Sequence, residues 1–208
     1  MKVKVLTVFA VLLAVLLALC GCAAEASKDT FLYTDMGDGT CSFTLNTSAR
    51  EERDFVEIPA EAPVKDKTEK VTIVAENAMS SCPVLTKVIL PEGIVRIDFF
   101  AFKDSPKLTE INFPSTLKEI RREAFRNTGL TKAELPEGLT SLGGYAFADC
   151  AELTEIALPA SLTSVGIGAF SGCAKLARIT FAGTEEQWKN VKIYGESDAL
   201  NNVVFLGE

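Results

Sequence analysis

Histidine is missing from all 208 residues. Its absence removes the commonest general base, the Ser-His and Cys-His nucleophile pairs, and most mixed zinc sites. There is no C-x-x-C, and no glycine-rich phosphate loop follows a strand-like run, so the usual marks of dithiol redox chemistry and nucleotide binding are absent too. Positive charge is in deficit, with 21 Lys and Arg against 28 Asp and Glu and a net charge of −7. Without residues 1–21, which carry Lys2 and Lys4 and no acid, 19 basic side chains face 28 acidic ones, a net −9. That sign argues against nucleic acid as a partner, favours solubility and names no ligand.

What the chain does have is one pattern written five times. Met79, Phe102, Phe125, Phe147 and Phe170 each follow Ala, at steps of 23, 23, 22 and 23 residues. Leu85, Leu108, Leu130, Leu153 and Leu176 come next, then Val88, Ile111, Ala133, Ile156 and Ile179, then Leu90, Phe113, Leu135, Leu158 and Phe181. Pro91, Pro114, Pro136 and Pro159 continue the first four copies, each closed by a second apolar pair: Ile94 with Ile97, Leu117 with Ile120, Leu139 with Leu142, Leu162 with Val165. A fixed period of this length signals a solenoid, whose units bury their apolar faces only by stacking. A helical bundle with coincidental spacing is the weaker alternative.

In L-x-x-I-x-L the last two apolar residues are two apart, so in a strand both point into the core. Equivalent strands such as 87–90 and 110–113 then pair in parallel, Pro ends each one, and the Ala-Phe segment turns the chain on the opposite side with Phe filling the coil. The outward residues form two columns. The first, Lys87, Glu110, Lys132, Glu155 and Arg178, alternates in sign at every step; the second is Ile89, Asn112, Glu134, Ala157 and Thr180. Both columns are the candidate binding face, because solenoids usually bind on their strand face. The first is explained still better as a self-neutralising ladder, and the second lacks the aromatic and Arg anchors of a binding hot spot.

The string AFADCAELTEIALPASLTSVGIGAFSGCAKLARITF resembles the BspA-like bacterial leucine-rich repeats, over about residues 55–183. The resemblance implies a right-handed leucine-rich repeat coil with a parallel β-sheet on the concave face and little helix. Departures are Met79 for Phe, one residue fewer near Thr128 and Gly129, Ala133 for the aliphatic strand residue, and Ser105 or Thr128 where the unit prefers Cys. Cys82, Cys150 and Cys173 share that position. A site accepting Cys, Ser and Thr alike wants a small buried side chain bonded to the turn backbone. A disulfide between Cys150 and Cys173, on adjacent coils, is a strained alternative.

Lys2 and Lys4 precede a run from Val5 to Leu19 broken only by Thr7, which reads as an export signal too short to span a membrane. Leu19-Cys20-Gly21-Cys22-Ala23 resembles a bacterial lipobox; Cys22 fits better than Cys20 and would receive a diacylglycerol. Plain secretion with cleavage near Ala24 is the alternative. The expected organisation is a signal peptide at 1–21, a tether at 22–30, an N-terminal cap and degenerate repeat at 31–70, the repeats at 71–183 and a C-terminal cap at 184–208.

Phe31 to Leu45 reads as a β-hairpin around Gly37-Asp38-Gly39, favoured over a calcium loop at Asp35 and Asp38 because the ligand count falls short. Phe55-Val56-Glu57-Ile58 reads as a degenerate strand within a sixth, irregular coil. Thr184 and Gln187 form a capping box, with the single Trp188 available to cover the last coil. No cofactor or metal is expected. The expected function is a lipid-anchored, non-catalytic surface binding or adhesion module, its partners the membrane through the lipid and an unidentified protein; the resemblance adds host matrix proteins or other cells. The alternatives are a periplasm- or wall-facing assembly lipoprotein and, less favoured, a carboxylate-based hydrolase.

Overall fold

A computed structural model describes residues 31–46, 49–195 and 198–207. The signal-like segment 1–21, the tether 22–30 and Cys22 lie outside the described residues. The chain opens with β1 (Phe31–Asp35), β2 (Thr40–Leu45), β3 (Phe55–Glu57), β4 (Glu61–Val64) and β5 (Lys67–Val74). Short strands then alternate: β6 (Lys87–Ile89), β7 (Arg96–Ile97), β8 (Glu110–Ile111), β9 (Glu119–Ile120), β10 (Lys132–Glu134), β11 (Ser141–Leu142), β12 (Glu155–Leu158), β13 (Ser164–Val165) and β14 (Arg178–Phe181). Helix α1 (Glu185–Trp188), β15 (Lys192–Ile193), a 3-10 turn (Asp198–Asn202) and β16 (Val203–Phe205) complete it.

Each unit contributes two strands, where the L-x-x-I-x-L pattern alone suggests one. The pattern itself forms parallel sheets ordered β3-β6-β8 and β10-β12-β14-β16. The closing apolar pair forms the second face, on which β5, β7, β9, β11, β13 and β15 pair in parallel. Ile97, Ile120, Leu142 and Val165 are its inward residues, all at most 1% exposed. A two-residue strand is too short to show alternation, so this second ladder is visible only once coils are stacked.

Between the faces runs a column of phenylalanines. Phe102 stacks on Phe125 with centroids 5.0 Å apart and planes 8° from parallel, Phe125 on Phe147 at 5.1 Å and 9°, and Phe147 on Phe170 at 6.2 Å and 18°. The period of the sequence places one ring per coil, and the rings touch because coils stack at strand spacing. After β6, β8, β10 and β12, proline ends the ladder and its carbonyl accepts the bond that starts the next turn, as from Ile94 N to Pro91 O and Leu117 N to Pro114 O.

The hairpin β1–β2 is antiparallel, and β2 runs parallel to β5, so the N-terminal cap prolongs the second face. Its Phe43 is fully buried against Phe31 and Tyr33. The degenerate strand β3 pairs with β6, matching Val56 to Val88. At the far end Thr184 and Gln187 complete a capping box, and Trp188 packs 5.0 Å from Phe181 and 6.5 Å from Phe205. Segment 184–208 does more than cap: β15 joins β13 and β16 joins β14, so both sheets continue into it.

The shortened third unit depends on Gly129. A Cβ there would collide with the carbonyl oxygen of Pro106 and lie 3.2 Å from its carbon and 3.4 Å from Leu108 O. Gly129→Ala is expected to destabilise by about 1–3 kcal/mol in urea unfolding, the usual cost of overpacking. Gly144→Ala, whose Cβ would meet nothing nearer than 3.4 Å, should change stability by less than about 0.5 kcal/mol.

Candidate ligand-binding face

The parallel register sets the first outward column side by side: Lys87 against Glu110, and Lys132 against Glu155, itself against Arg178. Lys87 Nζ lies 3.0 Å from Glu110 Oε2, and Lys132 pairs with Glu155. The Lys132 hydrogen bond, reinforced by the charge of Arg178, holds the Glu155 carboxyl below the usual range. The alternation of sign is therefore used for stacking within each half of the face. It stops between Glu110 and Lys132, where β8 and β10 share no ladder.

The second column has mixed fates. Asn112 is turned back on its neighbour: Leu90 N donates to Asn112 Oδ1 at 2.7 Å and Asn112 Nδ2 donates to Leu90 O at 2.8 Å. Its amide thus latches β8 to the strand before it. Thr180 is buried and forms floor, Ile89 and Ala157 are half-buried, and Glu134 stands exposed. All ten residues of the two columns line three shallow hollows on this face. One, of about 530 Å³, holds Lys87, Ile89, Glu110, Asn112 and Lys132. A second, of about 450 Å³, holds Lys132, Glu134, Glu155, Ala157, Arg178 and Thr180. The third and largest, about 550 Å³, reaches from Ile111 and Asn112 past Ala133, Glu134 and Ala157 to Leu206. Volumes of this size suit a peptide segment or a few side chains.

The repeat-position cysteines serve the turns. Cys150 Sγ and Cys173 Sγ each lie 3.0 Å from a Phe carbonyl, of Phe125 and Phe147, and Ser105 Oγ donates to Met79 O at the same distance. Thr128 Oγ1 donates to Phe125 O at 2.9 Å. Cys41, Cys82, Cys150 and Cys173 are unbridged. Burial pushes the Cys82 thiol up to about 11, so it stays protonated and a poor nucleophile at neutral pH. The carboxylates of Asp35 and Asp38 accept from their own turn, from Gly37 N at 2.7 Å and Thr40 Oγ1 at 2.6 Å, and Asp35 also pairs with Lys65 at 2.8 Å.

The Glu123 carboxylate is enclosed among cations. Glu123 is 4% exposed and meets Lys103 at 2.8 Å, Arg122 at 3.0 Å and Arg126 at 3.3 Å. Burial alone would raise its pKa, but the three cations outweigh it and hold the carboxyl below its ordinary value. The cluster ties three successive coils together, since Arg126 also pairs with Asp149 at 2.9 Å.

A second surface escaped the sequence pattern. At the corner after β7, β9 and β11, Arg121 lies 5.0 Å over the Phe99 ring, Lys103 5.2 Å over Phe100 and Arg122 6.0 Å over Tyr145. Beside them a hollow of about 400 Å³ is lined by Arg122, Tyr145, Ile167 and Tyr194. Phe100 and Tyr145 have φ of +58° and +57°, at a repeat position filled elsewhere by Asn77, Glu123 and Gly168. Residues that tolerate left-handed backbone less well thus present rings there. The signal was the pair of residues preceding each Ala-Phe, which vary from coil to coil and so show no periodicity.

Residues 72–198 match the BspA type leucine rich repeat region, in six copies. A leucine rich cell surface protein from Faecalibacterium prausnitzii is similar at 30% identity and TM-score 0.68, over 79% of this chain and 41% of that one. The chain therefore spans less than half the length of that relative. The leucine rich repeat protein of T. pallidum is similar at 27% identity and TM-score 0.67, covering 86% and 84%. A leucine-rich repeat protein from Bacteroides ovatus is similar at 28% identity and TM-score 0.53, covering 73% and 46%. No curated protein matches the chain significantly. With the repeat geometry and the family match in agreement over more than half its length, the chain belongs to the BspA-type leucine-rich repeat family.

Proposed function

We propose that this chain is an exported, non-catalytic binding module, held at the bacterial surface by a lipid on Cys22 and engaging a protein partner through its strand face. The observation that carries the reading is the set of three adjoining hollows on that face, lined by all ten outward strand residues. The absence of histidine removes the commonest catalytic bases. Display outside the cell is supported by the similar protein from Faecalibacterium prausnitzii, which is described as a cell surface protein. Two acyl chains, at about 0.8 kcal/mol per buried CH₂, would hold the chain at a bilayer firmly. The partner class that fits is a matrix or cell-surface protein. A second reading, an assembly lipoprotein facing the periplasm or wall, is favoured by the ion pairs Lys87–Glu110 and Lys132–Glu155, which neutralise much of the face internally.

Protease shaving of intact cells separates the two, with a cytoplasmic protein as the lysis control. Release of peptides from residues 79–181 is the expected result, and Cys22→Ser should move the chain from the membrane fraction to the medium. Protection until the envelope is opened would overturn surface display in favour of the assembly role.

A further inference from the structure

We propose that the irregular third unit builds a seat on the strand face for an extended segment of a partner protein, one that carries an aliphatic or aromatic side chain beside basic ones. The inference rests on the binding-module reading above and names the chemistry the face would accept. Its starting point is that three departures from the repeat fall at one place. The unit is one residue short, Ala133 stands where the other units have Val88, Ile111, Ile156 and Ile179, and the ladder between β8 and β10 is missing.

The packing shows what these departures do. Val88, Ile156 and Ile179 are 1–3% exposed, whereas Ile111, on the strand next to Ala133, is only half-buried. Phe113 is half-buried as well, although Leu90, Leu135, Leu158 and Phe181 at the same repeat position are 4% exposed or less. The small side chain of Ala133 and the parted strands thus uncover core residues on the outward side. Ile111, Phe113, Ala133 and Leu135 line the largest hollow at its β8 end, and exposed Leu206 bounds it at the β16 end. Three ladder steps of about 4.8 Å, roughly 14 Å, separate β10 from β16, and the unpaired step to β8 adds to that, a lane that an extended segment of about six residues spans. Between them the lane is floored by Ala157 and Thr180, side chains small enough to let a backbone lie close.

Charge chooses among possible occupants. Lys132 is neutralised by Glu155, and across the lane Glu134 and Glu137 have no cation paired with them among the described residues. Arg178 lines the adjoining hollow on the other side. The rim beside the apolar seat is therefore acidic, on a chain of net charge −7. A basic flank on the partner complements it, and an acidic flank is repelled.

A random heptapeptide library displayed on phage, selected against the full chain in detergent, tests the seat directly. Enrichment of Lys or Arg next to Leu, Ile or Phe is expected, with binding of the selected peptides then read by fluorescence anisotropy. Ala133→Ile, which restores the residue type of the other units, should weaken those peptides about tenfold or more by filling the seat. The exposed pair Glu134→Lys and Glu137→Lys should weaken them about tenfold without touching the core, and 1 M NaCl should do likewise. No enrichment, enrichment of acidic sequences, or peptides that bind the Ala133→Ile and double-Lys variants as tightly as the parent would each overturn the seat. In the last case binding itself survives, and the binding-module reading with it. Ala133-dependent binding by a chain that shaving finds inaccessible would instead keep the seat and remove surface display.

Discussion

Phe125→Ala is expected to lower stability by about 3–5 kcal/mol, the usual cost of truncating a buried Phe. That loss should bring down the melting temperature by roughly 10 °C for a chain of this size. Phe125 is fully buried, stacked on Phe102 and Phe147 and met edge-on by Phe113 at 5.5 Å. Each such ring pair adds about 0.5–1.5 kcal/mol beyond the area it buries. Phe170 has one stacked neighbour, at 6.2 Å and 18°, and Phe170→Ala should therefore be milder. Because coils contact only their neighbours, hydrogen exchange should show lost protection spreading from coil 125 to those of 102 and 147 first. Equal effects at 125 and 170 in thermal melts followed by circular dichroism would contradict a stability carried by the ring column.

Replacing Glu123 is the second large effect. Glu123→Ala leaves Lys103, Arg122 and Arg126 facing one another without their carboxylate. Removing one partner of a buried ion cluster costs about 3–5 kcal/mol. Here the cationic side chains are 30–60% exposed, so solvent screening reduces the expected loss to about 1–3 kcal/mol. The pH dependence follows from the direction of the shift. Burial raises the Glu123 pKa, the three cations lower it by more, and its folded value lies below its unfolded one. Its stabilisation is therefore whole above the unfolded value of about 4.3 and is lost as pH falls through the lower folded value. Urea midpoints of the parent and Glu123→Gln should differ clearly at pH 6 and converge towards pH 3. A difference that persists undiminished at pH 3 would show that the carboxylate's charge is not what the cluster uses.

The face and the fold were legible to different depths. The residues inward on the first strand of each unit, Val88, Ile156 and Ile179, could be read directly, because a two-residue alternation locked to a 23-residue period leaves one register. The alternating charges of Lys87, Glu110, Lys132 and Glu155 were legible for the same reason, as was the capping box at Thr184 and Gln187, a purely local motif. The second sheet was not, since Arg96–Ile97 and its equivalents are two residues long and pair only with residues one period away. Asn112 stands exposed in its column as the pattern implies, but its amide also latches onto Leu90, a contact 22 residues distant that no local pattern announces. The corner rings of Phe100 and Tyr145 were missed because their positions vary from unit to unit.

By itself the sequence determined the period, the inward residues, the ring column and the sign of the charge, because each follows from spacing along the chain and the stereochemistry of a strand. Only the tertiary structure decided where that regularity fails and what the failure exposes. A missing residue and an Ala in one unit are small departures in a string of letters. Their effect on Ile111 and Phe113 depends on how neighbouring coils pack around them, and packing is a property of several coils at once.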